Sequence, residues 1–155
     1  MTERTTVHET IVVERDYGVP LARVFTAFSD AKERARWDVP GDGWELAELH
    51  DEFKVGGRTS SRFGPKGDPR FYSDGVYLAI EPNVRIVSAG TMHERDKPVT
   101  CTLGTIELYA SAHGTRLVLT DQSAYFGSET SKNRRGGWGK VLDNLQRHLA
   151  GRSRP

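Results

Sequence analysis

Trp138, Val141, Leu142, Leu145 and Leu149 recur at spacings of three, one, three and four along the end of this chain. Side chains three and four apart stack on one helical face, so the spacing predicts a C-terminal helix over 138–149 with a single apolar stripe. From Trp44 to Phe126 the period is two instead, broken at regular intervals by Gly56-Gly57, by Gly64-Pro65-Lys66-Gly67-Asp68-Pro69, by Pro82-Asn83 and by 111–114. That pattern predicts strands over 47–54, 58–63, 71–80, 84–92, 99–110 and 115–125. A first strand is read at 8–15 from its β-branched residues, and Pro20 opens a helix whose Leu21, Val24, Phe25 and Phe28 share a face. Ser29 and Asp30 end it and cap a second short helix over 31–37, with its Arg and Lys side chains mostly toward solvent. One strand, two helices, six strands and a long helix make an α+β chain: a curved antiparallel sheet of seven strands wrapped around the last helix.

A chain of 155 residues fits one domain, 1–155, with polar ends at 1–6 and 151–155 that read as frayed. Lys and Arg number 22 against 21 Asp and Glu, a formal charge of +1, so the basic field of a nucleic-acid binder is missing. Cys101 is the only cysteine, which excludes an internal disulfide. The N-terminal MTERTTVHET reads as neither signal peptide nor anchor, and no run approaches the roughly 20 apolar residues of a membrane span. The expectation is a cytoplasmic protein.

Most motifs that invite chemistry dissolve on inspection. Arg135-Gly136-Gly137-Trp138-Gly139-Lys140 ends in Gly-Lys, but a phosphate loop needs glycine where Arg134 stands and Ser or Thr where Val141 stands. These glycines instead read as a close approach to the sheet at a helix entrance. His8, His50, His93, His113 and His148 are scattered, so no metal site and no cofactor are expected. His148 reads as a charge favourable to a helix C-terminus. Cys101 reads as a small buried hydrophobe rather than a nucleophile, and no catalytic residue is assigned.

The inward positions of the strands are more informative. If Leu117 and Leu119 point inward, so do Asp121, Ser123 and Tyr125, while the neighbouring strands bring Ile106, Leu108, Ile86 and Met92 to the same side. A mostly apolar wall with a few placed polar groups is what a small-molecule site needs. The candidate ligand-binding residues are Trp37, Phe53, Phe63, Tyr77, Met92, Leu108, Leu119, Asp121, Tyr125, Trp138, Leu142 and Leu145. Asp121 in such a wall needs a donor, and Arg134 or Arg135 is close enough in sequence to supply one. Residues 127–135 read as a polar, hinged lid.

Four segments carry a family resemblance: RDYGVPLARVFTAFSDAKERARW at 15–37, EFKVGGR at 52–58, GTRLVLTDQ at 114–122 and RGGWGKVLDNLQRHL at 135–149. In that order they resemble the START-like or SRPBCC superfamily of helix-grip domains, most closely the bacterial single-domain, polyketide-cyclase-like relatives of the heat-shock-protein ATPase activator. The resemblance implies a helix-grip fold over about residues 10 to 150. It also implies a scaffold that hosts lipid carriers, hormone receptors, cyclases and chaperone cofactors without one shared catalytic motif.

Three functions follow. The first is a protein that holds a small apolar or amphipathic molecule between sheet and helix. The second is a cyclase- or hydrolase-type enzyme with Asp121 as base and Tyr125 or His93 as proton donor. The third is a chaperone-cofactor-like interaction module, although the chain is too short for the extra domain that such activators carry. A homodimer and a chaperone contact stay open as partners.

Overall fold

The computed structural model describes residues 6–127 and 129–152. The elements run β1 (Val7–Tyr17), α1 (Leu21–Ser29), α2 (Ala31–Trp37), β2 (Trp44–Asp51), β3 (Arg58–Pro65), β4 (Phe71–Glu81), β5 (Arg85–Glu94), β6 (Lys97–Ser111), β7 (Gly114–Tyr125) and α3 (Ser131–Leu149). All strands form one antiparallel sheet in the order β1-β7-β6-β5-β4-β3-β2. The expected α+β helix-grip architecture is therefore what the chain adopts, with β2 through β7 a meander and β1 closing on β7.

Local chemistry explains the helices. Pro20 caps α1, where its missing N–H costs nothing, and Val24, Ala27 and Phe28 are buried beneath it. Asp30 accepts a hydrogen bond from the Lys32 amide and starts α2, whose Lys32 and Arg36 are exposed. Thr130 does the same for α3 through the Asn133 amide at 3.1 Å. That helix begins seven residues before the expected 138, so most of the expected lid at 127–135 is its first turn. Ser128, within that segment, lies outside the described residues, as do 1–5 and 153–155.

The core gathers Ile11 and Val13 of β1, Leu117 and Leu119 of β7, Leu108 of β6, the buried face of α1, Trp37, and Val141, Leu142 and Leu145 of α3. The last helix packs on β1, α1 and α2 rather than across the middle of the sheet. Polar contacts fix this seat. The Tyr17 hydroxyl donates to the Leu142 carbonyl at 2.9 Å, Asn144 Nδ2 to the Val39 carbonyl at 2.9 Å, and Arg135 to the Val12 carbonyl at 2.9 Å. Burial raises the Tyr17 phenol above its usual range, so it stays a donor.

His148 does more than favour a helix end. Its Nε2 lies 2.7 Å from Glu33 Oε1, which also accepts from Arg23 at 2.7 Å, joining α1, α2 and α3. Burial works to raise the Glu33 carboxyl, but its contacts with His148 and Arg23 outweigh it and lower the group. A lowered folded-state value gives stability that is present above the unfolded value and lost as pH falls through the folded one. Stability measured by urea unfolding is therefore expected to fall as pH drops below about 4.5, the group's ordinary value. Glu33→Gln should remove part of that slope, and an unchanged slope would refute the assignment.

Candidate functional site

Between the middle strands and the first half of α3 lies a cavity of about 820 Å³. Its existence traces to small residues. The inward positions at the centre of the sheet are Ser61 and Ser73, Gly75, Ser88, Gly90, Thr102 and Gly104, which leave the floor with only glycines and short hydroxyl side chains. Gly75 pairs directly with Gly90, and a Cβ on Gly90 would stand 2.4 Å from the Asp74 carbonyl oxygen, so β4 and β5 approach too closely there for any other residue. The roof is thinned in the same way. Gly136 lies inside α3, not at its entrance, and a Cβ built there meets nothing within 4 Å.

Around this floor stand four walls of different chemistry. Ile86, Ile106, Leu119 and Val141 form the apolar one. Trp44, Phe63 and Phe71 form an aromatic one, with Trp44 and Phe71 stacked at 5.5 Å and 11°, and Phe63 and Phe71 at 5.7 Å and 21°. The third wall centres on Arg134. Its Nε donates to Asp121 Oδ2 at 2.8 Å, and its terminal nitrogens donate to Thr100 Oγ1 at 3.0 Å and Thr102 Oγ1 at 2.9 Å. Asp121 is 1% exposed and accepts further bonds from Trp138 Nε1 at 2.7 Å and from the Ser123 hydroxyl. A buried carboxylate met by an arginine and two neutral donors is a satisfied anchor holding α3 to β7.

The fourth wall was not legible as a site. Arg34, expected among solvent-facing cations, turns inward from α2 with its side chain 14% exposed. It donates to Asp38 Oδ2 at 2.8 Å, Asp51 Oδ1 at 3.1 Å, Thr59 Oγ1 at 3.2 Å and the Tyr77 hydroxyl at 3.1 Å. Burial works to lower this guanidinium, yet Asp38 first, then Tyr77 and Asp51, hold it above its usual range, so it stays charged. Tyr77 in turn donates to Asp51 Oδ1 at 2.6 Å, and Asp51 Oδ2 is buried with no hydrogen-bond partner. Burial, and then that bond to Asp51, keep the Tyr77 phenol raised and protonated despite Arg34.

Of the residues expected at a ligand site, Phe63, Met92, Leu119, Asp121 and Trp138 line the cavity. Trp37, Leu108, Tyr125, Leu142 and Leu145 do not, because they are packed into the solid core, each 6% exposed or less. Phe53 packs edge-on between Phe25 and Tyr77, and Tyr77 is taken up by the Arg34 cluster, so neither ring reaches the cavity. Strand parity told inside from outside but not filled from empty. His93 also falls off the cavity wall, and Cys101 is exposed on the outer face rather than buried. Trp44, Phe71, Arg34 and the floor serines were missed. Trp44 and Phe71 could have been found by carrying the period-two argument to β2 and β4.

Among the described residues, no group of three or more His, Cys, Asp and Glu could hold a metal ion, and no helix is long and apolar enough to cross a membrane.

Comparison with known proteins agrees with this architecture. Residues 18–150 match the family model described as activator of Hsp90 ATPase homolog 1-like protein. The protein Mll3558 from Rhizobium loti is 38% identical, with 94% of this chain and 99% of that one covered at a TM-score of 0.83. An uncharacterized protein from Rhizobium leguminosarum is 29% identical over 97% of this chain and 99% of its own, at a TM-score of 0.87. DynU16, encoded in the dynemicin biosynthetic locus, is 18% identical, covers 97% of this chain and 49% of its own, and at a TM-score of 0.66 shares the fold alone. No curated protein matches. The match over nearly the whole folded length, together with the helix-grip sheet and its terminal helix, makes this chain a member of the activator of Hsp90 ATPase homolog 1-like family, within the SRPBCC superfamily.

Proposed function

We propose that this protein binds a small apolar or amphipathic molecule in the space between β3–β7 and α3. The observation that carries the reading is a cavity of about 820 Å³, within the range of small-molecule sites, whose floor is kept clear by glycine and serine. A core that served stability alone would fill that space, since every unfilled methyl-sized void costs about 1 kcal/mol. Binding is better supported than acid–base catalysis. Both oxygens of Asp121 already accept hydrogen bonds from neighbouring side chains, and neither His93 nor Tyr125 lines the cavity beside it. The chaperone-cofactor reading rests on the family description alone.

Native mass spectrometry of protein purified from its own host is expected to show a retained small molecule, or failing that, one saturable site for 1-anilinonaphthalene-8-sulfonate. Gly136 supplies the control. Gly136→Ala should stabilise the protein by about 0.8–1 kcal/mol, because glycine is the poorest non-proline helix former and the added methyl meets nothing. Gly136→Leu should keep most of that gain while filling the mouth, and weaken probe binding severalfold. Probe binding that is unsaturable, or indifferent to Gly136→Leu, would contradict the proposal.

A further inference from the structure

We infer that the front of α3, residues 131–139, is a helical gate over the cavity, which opens by local unwinding and closes on the Arg134–Asp121 pair. The inference rests on the binding reading above and adds how a ligand gets in. The two halves of this one helix are held by different forces. From Val141 onward it is bolted to the core: Leu142 and Leu145 are fully buried, Tyr17 donates to the Leu142 carbonyl and Asn144 to that of Val39. Ahead of that point no residue of 131–140 is buried, and the one large apolar side chain there, Trp138, is only partly so. Gly136, Gly137 and Gly139 fall in the same stretch, and each disfavours the helix about four- to fivefold relative to alanine. None of the three has a positive φ, and none is crowded: a Cβ would meet nothing within 4 Å at Gly136, Pro40 Cβ at 3.6 Å at Gly137 and Arg15 Nη2 at 3.4 Å at Gly139. Neither backbone conformation nor packing requires glycine here, so what the three supply is a segment that unwinds readily.

The fastening of this segment is polar. Arg134 holds Asp121, Thr100 and Thr102, Trp138 Nε1 donates to Asp121, Arg135 to the Val12 carbonyl, and Thr130 caps the first turn. Such groups regain water when they part, whereas a buried leucine gives up its contacts without compensation, so a polar latch releases where an apolar plug would hold. Release uncovers the cavity, because Lys132, Arg134, Gly136, Gly137 and Trp138 all line it. The other walls are less free to move. The strands β3 to β7 are paired on both sides, and α2 is fixed by the buried Trp37 and by the bonds from Arg34 to Asp51 and Thr59.

Native-state hydrogen exchange and stopped-flow binding of 1-anilinonaphthalene-8-sulfonate test this together. The amides of 135–140 are expected to be at least about tenfold less protected than those of 143–147. Gly139 does not line the cavity, so Gly139→Ala should leave the dissociation constant within about twofold while slowing probe entry and release about four- to fivefold alike, because it lowers only the open population. Thr130, also off the wall, tests the opposite direction. Thr130→Ala removes the cap and should speed exchange at 135–140, probe entry and probe release about fivefold each. Equal protection along α3, or a split in protection with the probe's rates unmoved in both variants, would overturn the gate and leave the cavity reading standing. Absence of a saturable probe site would remove the binding reading and the gate with it.

Discussion

Arg134→Met is expected to lower the unfolding free energy by about 3–5 kcal/mol in urea denaturation. The reason lies in what is left behind. Asp121 is 1% exposed and sits in a wall between β7 and α3, with the arginine, at 2.8 Å, its only charged partner among the described residues. Trp138 and Ser123 would still donate to it, but two neutral donors do not balance a full buried charge. Adding Asp121→Asn should restore part of the loss, because the amide still accepts from Trp138 and carries no charge. A coupling of about 1–3 kcal/mol between the two positions is the expected signature. A single-variant loss under about 1 kcal/mol would mean that the pair is solvated and the wall is not closed.

The second large effect is Trp37→Ala, expected to cost about 3–5 kcal/mol while leaving ligand affinity nearly unchanged. Trp37 is 1% exposed, packs edge-on against Phe28 at 4.9 Å and 75°, and donates from Nε1 to the Ala27 carbonyl at 3.1 Å. It is thus the bolt between α1 and α2, and its removal leaves a ring-sized void that helices this short cannot close. Because it does not line the cavity, a ligand affinity that fell in parallel with stability would show that the site and the helical layer are coupled. The contrast with Trp44 is instructive, since the two rings look alike in sequence and play different parts.

How far the sequence could be read follows from such residues. The stripe of Val141, Leu142 and Leu145 placed the last helix and its buried face, and alternation placed every strand within a few residues. The first turns of α3 were missed because their inward residue is Arg134, four before Trp138, which reads as surface to any hydropathy pattern. Gly136, Gly137 and Gly139 added the appearance of a loop. Arg34 was missed for the same reason, since the carboxylates that neutralise it, Asp38 and Asp51, come from elsewhere in the chain. The donor for Asp121 was within reach because Arg134 is near in sequence and the parity of β7 sends Asp121 inward. The cavity itself was legible only as an architectural consequence. A glycine or serine facing inward is a weak signal until the strands are paired and Ser61, Ser73, Gly75, Ser88, Gly90, Thr102 and Gly104 fall on one face.

In this structure α3 caps the sheet without filling the space above its middle strands, and the proposed function is that this space holds a ligand. Methyl-resolved NMR during titration with 1-anilinonaphthalene-8-sulfonate decides whether it does. Saturable shifts are expected at Ile86, Met92, Ile106, Leu119 and Val141, which line the cavity, with Leu142 and Leu145 in the solid core changing little. Shifts confined to the exposed Leu78, Val84 and Leu103, with the cavity methyls still, would contradict it.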